Sequence, residues 1–160
     1  MLSYSPSSNT YTAGTAISNL TITNSHSGGS NAVSSFAYGS PTALSGTSNG
    51  PAGIGTDASG NLYIANYDGN TIRKYNSSGT FLSTFISSTS LNGPGSIVFD
   101  SSCNAYILSY GNGRVLKYSS SSTFISNFGN FSSPYGMAID ASDNIYVCDS
   151  GNDKVYKYST

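Results

Sequence analysis

Short apolar runs alternate with clusters of turn-forming residues along most of the chain. Ile97-Val98-Phe99 is followed by Asp100-Ser101-Ser102-Cys103-Asn104, then by Ala105-Tyr106-Ile107-Leu108 and Ser109-Tyr110-Gly111-Asn112-Gly113, and then by Arg114-Val115-Leu116-Lys117-Tyr118. β-Branched and aromatic runs this short, bounded by Gly, Asn, Asp and Ser, predict antiparallel strands joined by tight turns. A fourth strand is predicted after each set of three, because Thr80-Phe81-Leu82-Ser83-Thr84-Phe85 and Thr123-Phe124-Ile125-Ser126-Asn127-Phe128 match position for position.

The same pattern is written three times. Residues 51–75, 94–118 and 134–158 align without a gap, with Pro51, Pro94 and Pro134 opening the copies. Asp57, Asp100 and Asp140 follow, then Asn61, Asn104 and Asn144, then Tyr63, Tyr106 and Tyr146. Each copy closes on Lys-Tyr, at Lys74-Tyr75, Lys117-Tyr118 and Lys157-Tyr158. The copies start 43 and 40 residues apart. A period of roughly 40–45 residues with four short strands belongs to propeller blades rather than to helical solenoids.

The motif P-x-G-[IM]-x-x-D-x-x-x-N-x-Y-[IV], an Asp/Asn-Gly-Asn turn and [IV]-x-K-Y resemble the NHL repeat of β-propellers over residues 51–160. The resemblance implies an all-β fold of four-stranded antiparallel blades, here about three. NHL propellers include ligand-binding, protein-binding, RNA-binding and occasional lyase domains. Two domains are expected: residues 1–30 as a short β-rich extension, and 31–160 as the propeller segment, with an outer strand at 31–37 and blades starting at 51, 94 and 134. The stretch LSYSPSSNTYTAGTAISNLTITNS resembles the opening of Ig-like repeats in bacterial surface proteins. It is too short for a sandwich of about seven strands and ~100 residues.

Composition narrows the function classes. Charged residues make up 8% and net charge is −1, so nothing basic is available to neutralise phosphates, and nucleic acid is excluded as a partner. No apolar run approaches the ~18 residues of a membrane span. Met1-Leu2 leads directly into a polar stretch, so no signal peptide is read there. The Ser-, Asn- and Tyr-rich, charge-poor character nevertheless resembles that of secreted or cell-surface modules. Thirteen Tyr and seven Phe at repeated positions supply the core. Cys103 aligns with a hairpin turn and Cys148 with a strand of the next copy, too far apart for a disulfide. Cys148 is expected to be a small buried hydrophobe.

The outer-strand motif recurs once more near the start, where Ala32-Val33-Ser34-Ser35-Phe36 matches Phe81–Phe85 and Phe124–Phe128, while the copy at 134–158 reaches only its third strand. Either the chain is part of a larger propeller, or two copies complete each other. In the second case Val33, Ser34, Ser35 and Phe36 of one chain would pair with the strand carrying Val155, Tyr156 and Tyr158 of another, forming a ring or filament.

Candidate chemistry concentrates on the turns after the second strands, expected on one propeller face. These are Asn66, Tyr67, Asp68 and Asn70; Ser109, Tyr110, Asn112 and Arg114; and Asp149, Asn152 and Asp153. Their Asn, Asp and Gly are what tight turns require. Tyr67, Tyr110 and Arg114 are not, and they suit stacking and hydrogen bonding to a carbohydrate or protein partner. Asp57, Asp100 and Asp140 are expected to cap turns on the opposite face, with calcium binding the lesser reading. Lys74, Lys117 and Lys157 read as solvated stems along the sheet. With no Glu and a single His, at 26, no catalytic or metal-ligating set is legible. The chain is therefore expected to be a binding module, not an enzyme, with no cofactor. A metal-dependent lactonase- or lyase-like propeller is the further alternative.

Overall fold

The computed structural model describes residues 43–44 and 49–159. The expected N-terminal extension and the outer strand at 31–37 lie outside them. Among the described residues eleven strands form three separate, consecutive antiparallel sheets. The first contains β1 (Pro51–Thr56), β2 (Leu62–Asn66), β3 (Thr71–Tyr75) and β4 (Phe81–Ser87) in that spatial order. The second contains β5 (Pro94–Phe99), β6 (Ala105–Ser109), β7 (Arg114–Tyr118) and β8 (Phe124–Phe128). The third has three strands, β9 (Pro134–Ile139), β10 (Ile145–Asp149) and β11 (Lys154–Tyr158). Each is an up-and-down blade, and the architecture is a partial β-propeller of about three blades. No helix among the described residues is long and apolar enough to cross a membrane.

Each sheet is short and can bury its apolar faces only against a neighbouring sheet. Tyr63, Ala65 and Ile72 of blade 1 pack on Ile97, Ala105, Ile107, Leu116 and Tyr118 of blade 2. Tyr106, Leu108 and Val115, on the other face of blade 2, pack on Ile145 and Val147 of blade 3. The middle strand of the middle blade is therefore buried at every residue. The inner strands converge. A Cβ on Gly53 would collide with the Gly95 carbonyl oxygen, and one on Gly55 would meet the Ile97 carbonyl oxygen at 2.5 Å, so bare backbone is needed where β1 crosses β5.

Blade 3 shows the cost of lacking a described neighbour. Cys148 and Val155 occupy positions where Leu108 and Val115 are fully buried, yet Cys148 is exposed and Val155 is 66% exposed. The expectation of a buried Cys148 is thus corrected. Its residue type suits burial, but no described sheet covers that face. Both cysteines are free.

Candidate functional site

Antiparallel pairing places the starts of the inner strands beside the ends of the second strands: Pro51 opposite Asn66, Pro94 opposite Ser109 and Pro134 opposite Asp149. The turns after β2, β6 and β10 and the loops leading into β5 and β9 therefore share one face. The last residue of each second strand is buried and ties down the turns and loops around it. Ser109 Oγ accepts from the Asn92 amide at 2.9 Å and donates to the Asn92 carbonyl at 3.0 Å. Asp149 accepts from the amides of Ser132 and Ser133. Burial alone would raise the Asp149 carboxyl, but those amides and Asn152 hold it below the ordinary range. Asn66 donates to Thr71 Oγ1 at 3.2 Å.

The residue after each second strand stands at the mouth. The amide of Tyr67 donates to the Gly50 carbonyl, that of Tyr110 to Gly93 and that of Ser150 to Ser133. Gly93 has a φ of +60°, and a side chain there would strike the Tyr67 ring at 2.7 Å. Tyr135, the second residue of β9, joins them from the inner strand. Its siblings in the repeat are Ala52 and Gly95. Ring centroids lie 6.1 Å apart for Tyr67–Tyr110 and 5.4 Å for Tyr110–Tyr135, tilted by 53° and 57°. With Ala52, Gly95 and Pro134 these tyrosines line a cavity of about 290 Å³. Among the described residues no charged side chain lines it. Tyr135 is 70% exposed, and its phenol is raised above the ordinary tyrosine value by the Tyr110 hydroxyl beside it. Such a row offers apolar ring faces and hydroxyl edges to an uncharged ligand.

Of the residues singled out in the sequence, Tyr67 and Tyr110 line this cavity. Asn66, Ser109, Asp149 and Asn152 serve the turns beneath it. Asn70 accepts the Gly93 amide at 2.8 Å. Asn112 donates to the Ser90 carbonyl and to Ser109 Oγ. Asp68 packs against Gly50, and Asp153 is an exposed left-handed turn residue with φ +53°. Arg114 points elsewhere, donating to Asn127 Oδ1 at 2.8 Å in a separate cavity of about 400 Å³. Tyr135 was missed. Its signal is a departure from the repeat, a tyrosine where the other copies carry Ala and Gly.

The opposite face carries three copies of one polar cluster. Asp100 Oδ1 accepts the amides of Ser102 and Asn104, and Oδ2 accepts Asn104 Nδ2 and Tyr106 OH, with Lys117 Nζ at 3.5 Å. Asp57 repeats this with Ser59, Asn61, Tyr63 and Lys74, and Asp140 with Ser142, Asn144 and Tyr146. These aspartates cap the turns, and their oxygens are filled by protein donors, which disfavours the calcium reading. The lysines are more than solvated stems. Lys74, Lys117 and Lys157 sit over the rings of Tyr63, Tyr106 and Tyr146 at 5.2, 4.8 and 5.5 Å. Asn144 above all, with the backbone amides and Tyr146, lowers Asp140 to about 2. For Asp57 and Asp100 burial pushes upward, but the same set of hydrogen bonds outweighs it and both fall below the ordinary value.

These features define a β-propeller segment with a tyrosine-lined mouth. No protein-family model matches the chain, and no curated protein matches it in sequence. Solved structures do. A streptogramin B lyase is 18% identical with a TM-score of 0.55, the match covering 73% of this chain and 43% of that one. Virginiamycin B lyase from Staphylococcus aureus is 14% identical with a TM-score of 0.53, covering 70% and 42%. Hydrazine synthase from Kuenenia stuttgartiensis is 15% identical with a TM-score of 0.53, covering 69% and 36%. The chain thus spans less than half the length of these neighbours. The likeness establishes the fold. It also overturns the expectation that the chain is not an enzyme, since blades of this shape occur in lyases and a count of His and Glu does not rule catalysis out.

Proposed function

We propose that the mouth formed by Tyr67, Tyr110 and Tyr135 binds a neutral carbohydrate, on an NHL-type propeller belonging to a secreted or cell-surface protein. The observation that carries this reading is the convergence of tyrosines from three blades on a cavity that, among the described residues, no charged side chain lines. Sugars present apolar C–H faces to aromatic rings and hydroxyls to phenols, and they need no counter-charge. The cavity sits near the lower end of ligand-pocket volumes, about 300 Å³. The test is titration of the full chain with neutral oligosaccharides, followed by tyrosine fluorescence or NMR. Tyr135→Ala and Tyr110→Ala should each weaken binding by about tenfold or more, as for a central aromatic contact. No binding across a neutral glycan panel, or binding unchanged by Tyr135→Ala, would defeat the reading.

A second reading is favoured by the lyase neighbours. Here the same mouth holds a substrate on which the protein acts. Incubation with virginiamycin B or quinupristin, the compounds named for those proteins, tests it by loss of the parent compound in mass spectrometry. Turnover abolished by Tyr110→Ala supports a lyase, and an unaltered compound removes that substrate class.

A further inference from the structure

We infer that the cleft around Arg114 is a second ligand site, which takes a single carboxylate carried on a hydroxylated ring, a uronic-acid sugar. The cleft shares no residue with the tyrosine-lined mouth, so the two sites stand or fall separately. Its volume of about 400 Å³ falls within the range of small-ligand pockets, about 300–1,000 Å³. Arg114 opens β7 and is exposed. Its guanidinium donates through Nη1 to Asn127 Oδ1 on β8 at 2.8 Å, which fixes the direction of a planar group carrying five N–H donors. Among the described residues no aspartate forms an ion pair with Arg114, whereas Lys74 and Lys117 are paired with Asp57 and Asp100. Nothing in the blade requires an arginine there. Blade 1 has Thr71 at the matching position, and Arg73 and Thr84 in place of Leu116 and Asn127, yet it forms the same third and fourth strands.

The lining names the ligand class. A guanidinium fork matches a carboxylate in shape, and its one positive charge balances a monocarboxylate rather than a phosphate dianion or a run of acidic residues. Around it the cleft is neutral: Thr89 and Ser90 bring hydroxyls and Asn112 an amide. Buried Leu116 and the half-exposed ring of Phe124 add apolar surface. A sugar ring, with hydroxyls at its edge and C–H groups on its faces, uses both kinds of surface at once. The walls are held before any ligand arrives. Asn112 Nδ2 donates to the Ser90 carbonyl at 2.7 Å and so ties the loop after β4 to the turn after β6. A site fixed in this way loses little freedom on binding.

Titration of the full chain with glucuronate, followed by NMR of the backbone amides, tests this. Glucuronate should shift the amides of Ser90, Asn112, Arg114 and Asn127, and glucose, acetate and inorganic phosphate should each bind there about tenfold more weakly or worse. Arg114→Gln should weaken glucuronate binding by about tenfold or more. Arg114→Lys, which keeps the charge without the fork, should recover only part of it. Lys154→Gln, which removes the cation at the matching position of blade 3, should leave binding unchanged. Because Arg114 is exposed, the thermal midpoints of these variants should match the wild type, which separates lost binding from a lost fold. Shifts that are absent or confined to the mouth overturn the inference. So does glucose, acetate, phosphate or a glutamate-rich peptide binding the cleft as tightly as glucuronate, and so does binding indifferent to Arg114→Gln.

Discussion

Asp100 shows how one side chain organises a turn. Its carboxylate accepts from two amides, an Asn and a Tyr, with Lys117 alongside, and the carboxyl is nearly enclosed, at 7% exposure. Asp100→Ala removes the acceptor and strands those donors, with a cost of about 1–3 kcal/mol, checked by the urea midpoint. The three carboxylates also set a pH dependence. All have folded-state values below their unfolded value of about 3.9. The stability they contribute is therefore present above about pH 4 and lost as pH falls, for Asp140 through about 2. Urea midpoints measured from about pH 5 down to 2 should fall, and Asp140→Asn should flatten that decline. Glycines supply a sharper contrast. Gly53→Ala drives a methyl into the Gly95 carbonyl and should cost about 1–3 kcal/mol. Gly95→Ala meets only open space and should be within about 0.5 kcal/mol of the wild type, by the same measurement.

Strands of equal sequence character differ in energetic weight because of their neighbours. β3 and β11 are both third strands ending in Lys-Tyr. Ile72 in β3 is fully buried against blade 2, whereas its counterpart Val155 is 66% exposed. Ile72→Ala should cost about 2–5 kcal/mol through lost transfer energy and a cavity. Val155→Ala should change the unfolding midpoint scarcely at all. The blade boundaries, strand count and Asp-capped turns were legible in the sequence, because strands and turns are local choices and the repeat states them three times. At the mouth only Tyr67 and Tyr110 were legible, as turn residues that no turn demands. Tyr135 was not, because its proximity to them depends on a second-strand turn in one sheet facing an inner strand in the next. Arg114 failed as a mouth residue because it lies on the third strand, beside β8, where its guanidinium donates to Asn127.

Across the molecule, blades communicate through packing and through a few polar bridges. Asp143, in the first turn of blade 3, accepts the amide and hydroxyl of Ser101 in the first turn of blade 2, at 2.9 and 2.6 Å. The outer strands leave apolar side chains in water: Phe81 and Leu82 on β4, Phe124 and Ile125 on β8. Exposed apolar edges invite edge-to-edge aggregation. Leu82→Lys with Ile125→Lys should reduce turbidity on concentration while leaving the thermal midpoint nearly unchanged.

What the amino-acid order determined by itself is the blade: where strands begin, where turns fall, and which aspartate, asparagine and tyrosine meet, since those partners lie within about one hairpin of each other in the chain. Tertiary structure alone decided which face of each blade is dry and which residues gather at the mouth. AYILS in β6 and IYVCD in β10 read as the same kind of buried strand, yet the first is buried on both faces and the second on one. Burial is a property of the neighbouring sheet, and a strand's own residues carry no record of whether that neighbour is present.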